Sequence, residues 1–254
     1  MVADRTPVRP VYKEVLADLE TPLTAYLKLA GPPSFLLESA EQGERVARYS
    51  FIGVGERSRV ESRGDLTTVS RDGRAEEIRG GDPLRILWDR VVRPAETPDE
   101  LPAFWAGAVG YAAYDLVRRY ETLPDANPGE LNLPDLLFVE PEVVVVFDHL
   151  RRRLFLIAPA VAGDRADEAR AAHKVEEAHA RLRAPLPGVP GDRAGRRSEF
   201  QANMTPEAYR AAVRRAVEYI KAGDIFQVVP SQRMSADLGV HPFAVYRALR
   251  AINP

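Results

Sequence analysis

Glu142–Asp148 reads EVVVVFD and Arg153–Ala158 reads RLFLIA, with the polar stretch HLRR, residues 149–152, between them. β-Branched and aromatic residues dominate both runs, and each has the length of a strand. The pair predicts an antiparallel hairpin turning near His149. Working outward, Asp72-Gly73 lies between LTTVS (66–70) and AEEI (75–78). That is a second tight-hairpin signal, because glycine accepts positive φ. Phe35–Glu38, Tyr49–Ile52 and the short runs from Ser58 to Ile78 read as further strands, as does FWAGAVGYAAY, Phe104–Tyr114. The glycines of GAVGY lack the spacing of a dinucleotide loop and suit close packing of strand backbones.

Helices punctuate this pattern. Thr21-Pro22 is an N-cap followed by a first-turn proline, with Leu23, Tyr26 and Leu27 on one face, and Gly31-Pro32-Pro33 as the stop. Asp82-Pro83 repeats the signature, and Leu84, Leu87, Trp88 and Val91 fall at i, i+3, i+4 and i+7. A Pro-rich loop spans Leu123–Pro134, and Asp164–Arg183 is a surface helix rich in Ala, Arg and Glu. The predicted class is α+β, with a strand-rich, antiparallel, two-layer sandwich-like amino-terminal region over residues 1–183.

The stretch PLPGVPGDRAGRRS has no periodicity, so residues 184–198 read as a linker and 199–254 as a separate piece. In that piece Thr205, Pro206 and Glu207 open a helix with the stripe Tyr209, Val213, Ala216, Val217 and Ile220, ending at Lys221 and Gly223. IFQVV (225–229) then reads as a strand and HPFAVYRALRAI (241–252) as a helix. Helix, strand and helix are too little to bury a core of their own. Either the piece completes the first domain or the chain is cut short.

Composition narrows the function classes. The 254 residues are 45% hydrophobic and carry a net charge of −2, from 35 basic and 37 acidic residues. That suits a globular protein and supplies no electrostatic reason for nucleic acid or an anionic membrane as partner. There is no cysteine, which excludes disulfides, thiolate metal sites and a cysteine nucleophile. The start, MVADRTPVRP, shows no signal-peptide apolar region, and no apolar run approaches a membrane span. These features point to a soluble, cytoplasmic protein.

Four side chains stand out. Glu38 and Ser39 end an apolar strand; such groups are most often solvated, yet a carboxylate beside a hydroxyl also suits a small zwitterion, pairing its ammonium and hydrogen-bonding its carboxylate or an indole N–H. Gln227 sits in IFQVV with apolar neighbours on both faces, so the strand reads as buried on both sides, and a buried amide needs a polar partner from protein, water or ligand. Arg233 is a candidate anion contact; a solvated or ion-paired arginine is the plainer reading. His173 and His179 are six apart and share no helix face, which argues against metal ligation. No GxGxxG, P-loop or GxSxG motif is present.

ADLETPLTAYLKLAG (17–31), FLLESAEQGERVARYSFIG (35–53), FWAGAVGYAAYDLVRRYETLP (104–124) and LNLPDLLFVEPEVVVVFDHLRRRLFLIA (131–158) resemble the amino-terminal region of the anthranilate synthase component I family. MTPEAYRAAVRRAVEYIKAGDIFQVVPSQR (204–233) resembles the start of that family's chorismate-binding α/β domain. The resemblance implies that LLES lines an allosteric pocket for L-tryptophan, contacted by Ser39 with Glu38 beside it. Arg48, Tyr49 and Ser50 belong to a matching motif without assigned contacts. It also implies that Gln227 positions substrate or nucleophile without proton transfer, because chorismate-hydrating relatives carry a basic lysine there and an amide has no titratable proton. Arg233, the candidate anion contact, is the candidate for binding the substrate.

The implied activity is conversion of chorismate and ammonia to anthranilate and pyruvate. A glutamine amidotransferase, component II, would supply ammonia, and Mg2+ would anchor the substrate. The family's magnesium ligands and most chorismate contacts fall in segments not found in these 254 residues, so the expectation is a truncated portion, inactive alone, with no metal ligand of its own. Aminodeoxychorismate synthase component I and a non-enzymatic amino-acid-binding module are the alternatives. The LLES–RYSFIG pairing favours the tryptophan-pathway family over the first, and FQVVPSQR argues against the second.

Overall fold

The computed structural model describes residues 6–38, 48–124, 131–188 and 198–253. The chain divides into two compact units, residues 1–187 and 188–254. The first unit holds two five-stranded antiparallel sheets. One comprises β1 (Val8–Leu16), β2 (Ser34–Leu37), β3 (Tyr49–Val54), β9 (Val143–Asp148) and β10 (Arg153–Val161), in the order β1-β10-β9-β3-β2. The other comprises β4 (Ser58–Arg63), β5 (Leu66–Arg71), β6 (Arg74–Arg79), β7 (Val109–Ala112) and β8 (Leu136–Glu140), in the order β6-β5-β4-β8-β7. The α+β class with antiparallel strands is the observed one.

The β9–β10 hairpin is the centre of the first sheet, and the reason is two-sided burial. Val143, Val145, Phe147, Leu154 and Leu156 face helices α1 (Pro22–Leu29) and α3 (Arg165–Leu182), meeting Ala25, Leu29, Val175 and Leu182. Val144, Val146, Phe155 and Ile157 face the other way, onto Leu101 and Trp105. With both faces covered, no alternation with polar residues is needed, which is why the run reads VVVV. The second sheet has its own apolar cluster, in which Val60, Val69 and Leu136 pack with Leu116, and Ile86, Leu87 and Val91 of α2 (Pro83–Val91) lie against it. Each sheet is thus backed mainly by helices and irregular segments.

The chain passes between the sheets at two adjacent corners, where Arg57 N–H donates to the Glu140 carbonyl at 2.8 Å and Glu142 N–H to the Val54 carbonyl at 3.0 Å. Buried charge marks the same place. Arg57 donates to Asp167 of α3 at 2.8 Å, and Arg71 and Ser58 donate to Glu140 at 2.8 and 2.7 Å. Asp167 also accepts from Arg170 at 2.5 Å and from Val161 N–H at 2.7 Å. Burial pushes the Asp167 carboxyl up, but these donors outweigh it and hold it below the usual range.

Local signals placed most elements. Asp72 and Gly73 both take positive φ, 50° and 75°, in the β5–β6 turn. Gly110 of β7 leaves no room for a side chain, since a Cβ there would lie 1.8 Å from the Leu137 carbonyl oxygen. Two expectations are adjusted and one strand is added. Only Val109–Ala112 of Phe104–Tyr114 is a strand. The fully buried residues of α1 are Pro22, Ala25 and Leu29, with Tyr26 packed partly beside them, whereas Leu23 and Leu27 are half-buried. β1 is an additional strand, an edge one, which tolerates Pro10.

The second unit contains α4 (Pro206–Ala222), capped by Thr205 and closed by Gly223 at φ 82°, and α5 (Pro242–Ile252), with a two-residue ladder of β11 (Gln201–Ala202) and β12 (Met234–Ser235). The predicted strand at 225–229 is not formed. Its residues are irregular, with Phe226 93% and Val229 77% exposed. A strand needs neighbours for its backbone groups, and the described residues of this unit offer none at that place.

Candidate functional site

The rim singled out in the sequence is one end of the first sheet. β2 pairs with β3 in the register Leu37↔Phe51, and β3 pairs with β9 as Tyr49↔Asp148 and Ser50↔Phe147. The β2 ladder ends at Leu37, so Glu38 is the first residue beyond the strand at this end of the sheet. Ser39 lies outside the described residues. The ladder therefore brings the end of β2 and the Arg48–Ser50 stretch to one end of the sheet, together with the start of the β9–β10 turn.

Two polar pairs are built there. Arg48 grips Asp148 through both carboxylate oxygens, Nε to Oδ1 at 3.1 Å and a terminal nitrogen to Oδ2 at 2.5 Å. The same Oδ1 accepts the N–H groups of Leu150 and Arg151, each at 3.1 Å, so Asp148 also shapes the turn. Asp148 is 2% exposed; burial pushes its carboxyl up, but Arg48 and the turn N–H groups outweigh that and hold it below the usual range. The Arg48 guanidinium is raised by its bond to Asp148 and lies 4.8 Å from the centre of the Tyr49 ring. Beside this pair, buried Ser50 Oγ lies 2.8 Å from His149 Nε2, and His149 N–H donates to the Arg48 carbonyl at 2.9 Å. The edge thus combines a fixed arginine–aspartate pair, a buried hydroxyl joined to an imidazole, and the Tyr49 ring.

The other candidates lie in the second unit. Gln227 is exposed and irregular, which corrects the expectation of a buried strand amide. Arg233 is exposed as well, and its backbone exchanges bonds with Asn203, N–H to Oδ1 at 2.9 Å and carbonyl to Asn203 N–H at 3.0 Å. Among the described residues no three His, Asp or Glu side chains converge as a metal cage, so none is assigned to magnesium. The sequence reading missed Asp148 and the role of His149. The available signal was an acid closing a strand ahead of a polar turn, but its partner Arg48 is a hundred residues away.

Residues 32–254 match the family described as chorismate binding enzyme. The chain belongs to that family. The chorismate-binding match takes in most of both units. Among curated relatives, anthranilate synthase component 1 of Thermus thermophilus is 57% identical over 97% of this chain and 52% of its own length. The protein of the same name from Pseudomonas aeruginosa is 41% identical over 96% of this chain and 52% of its own. A crystal structure of anthranilate synthase component I from Streptococcus pneumoniae matches with a TM-score of 0.70 and 28% identity, across 94% of this chain and 52% of that one. The chain spans about half the length of the curated relatives it matches.

Proposed function

We propose that the chain is a portion of an anthranilate synthase component I. The observation that carries this is identity of 57% sustained over 97% of the chain with one protein of that name. The reaction follows from the chemistry of the substrates. Ammonia adds to the chorismate ring, the ring hydroxyl leaves as water, and the enolpyruvyl side chain departs as pyruvate, leaving the aromatic amine. Ammonia brings its own lone pair, so the residue beside it need only orient, which suits the Gln227 amide. Arg233 is the proposed contact for a substrate carboxylate. Magnesium belongs to this proposal through the family resemblance alone, and no residue here is given a role toward it. A glutamine amidotransferase as ammonia source and a cytoplasmic setting are parts of the same reading; no helix of the described residues is long and apolar enough to cross a membrane.

The sheet-end rim is the proposed receptor for L-tryptophan. Glu38 would pair with the ammonium group, near the Arg48–Asp148 and Ser50–His149 pairs, and Ser39, which lies outside the described residues, is the proposed partner of the carboxylate or indole N–H. The test is a chimera in which these 254 residues replace the matching half of the Thermus thermophilus relative. Anthranilate formed from chorismate and ammonia, with inhibition by L-tryptophan that Ser39→Phe relieves, supports the reading. Formation of aminodeoxychorismate, or an inhibition curve unaltered by Ser39→Phe, overturns it in part or whole. The 254-residue chain by itself is expected to form no fluorescent anthranilate from chorismate, ammonia and magnesium.

A further inference from the structure

α2, which packs on the second sheet, does not close against the far end of the first sheet. A cavity of about 410 Å3 lies there, walled by Leu84, Leu87, Trp88 and Val91 of α2 and by Phe138 and Pro159. Pro159 stands six residues along β10 from Arg153, the partner of Asp148, so the cavity is roughly 20 Å from the rim described above. An amphipathic helix ordinarily buries its whole apolar stripe. Here Leu87 and Val91 pack on the second sheet's core, whereas Leu84 and Trp88 remain 40% and 53% exposed. The facing wall includes small residues, Ala106 and Ala108 around Gly107, which leave the space open.

The lining also defines what can enter. Its two charged side chains are Glu140 and Arg93. Glu140 is buried and already accepts from Ser58 and Arg71, and Arg93 is engaged as well. A charged ligand would surrender its hydration without gaining a free counter-charge. The volume lies in the range of small-molecule sites, about 300–1,000 Å3. Trp88 and Phe138 present ring surfaces suited to another ring. We propose that this cavity is a binding site for a neutral, predominantly apolar small molecule carrying an aromatic ring, separate from the Glu38–Asp148 rim.

The neutral fluorophore N-phenyl-1-naphthylamine tests this on the 254-residue chain. Saturable uptake of one molecule per chain is expected. Trp88→Ala and the cavity-filling Ala108→Trp should each weaken it at least tenfold, and Phe226→Ala, in the second unit, should leave it unchanged. Circular dichroism and a thermal melt confirm that each variant folds; should Ala108→Trp not fold, Leu84→Asp, at an exposed position, takes its place. Absence of saturable uptake, affinity in Trp88→Ala and Leu84→Asp equal to that of the parent chain, or loss of uptake in Phe226→Ala overturns the assignment. So does a dimer in sedimentation that Leu84→Asp dissociates while no fluorophore binds, since the cavity would then belong to a second copy of the chain.

Discussion

Val143–Phe147 and Ile225–Val229 look alike in sequence, yet they end in opposite environments. The first, VVVVF, sits between β3 and β10 and beneath helices, with every side chain at 3% exposure or less. The second, IFQVV, is irregular, with Phe226 and Val229 largely in solvent. An apolar run states a demand for burial. It is met only where other segments supply hydrogen-bonding edges and covering side chains. In the first unit β10 and α3 follow closely in the chain, and β3 and α1 arrive from distant parts of it, to do so. The described residues of the second unit include no such set.

The sharpest way to break this contrast is to place a carboxylate in each run. Val145→Asp should remove more than about 4 kcal/mol from the first unit, enough to abolish its cooperative denaturant transition. Val229→Asp should alter that transition by less than about 0.5 kcal/mol. Comparable losses in both would show that the second run is also packed in solution.

Next in size is Arg57→Ala, which leaves Glu140 and Asp167 buried beside one fewer cation. A loss of about 3–5 kcal/mol is expected in urea unfolding. Replacing Arg57 with Met, which fills similar space without the charge, should not rescue it while both acids remain.

Asp148→Asn probes the rim. The folded carboxyl is held below its unfolded value, so its contribution is full above about pH 4 and disappears as pH falls through the folded value. At neutral pH the variant should lose about 1.5–3 kcal/mol, the worth of hydrogen bonds to a charged group. Its stability should then fall less steeply than that of the parent protein on acidification below pH 4. Parallel acid limbs would remove Asp148 from the account. The smallest effect is expected of Gln227→Ala, a change within about 0.5 kcal/mol in the isolated chain, together with rapid amide exchange at 225–229 and slow exchange at 143–147. Slow exchange at Gln227 would erase the comparison.

Legibility followed the range of the interaction. Helix ends were readable because capping is local: Asp82, Asp164 and Thr205 accept N–H groups two or three residues on. The β5–β6 turn was readable from Asp72-Gly73 alone. β1 was not, since VRPVYKEVL mixes proline and charges and becomes a strand only through its ladder with β10, where Pro10 lies opposite Pro159. At the candidate site, Glu38 was visible as a strand end and Arg48–Ser50 as a motif. Their partners Asp148 and His149 were not, because the pairing depends on β3 lying against β9.

The amino-acid order alone determined where chain segments turn, cap and change period, since each of those depends on a few neighbouring residues. It also carried enough of a pattern to place the protein among chorismate-binding enzymes. Which apolar runs are buried, which face of α1 meets the sheet, and which distant side chains share the rim were decided only by tertiary structure. Burial and ion pairing act through space, between groups whose separation along the chain says nothing of their distance.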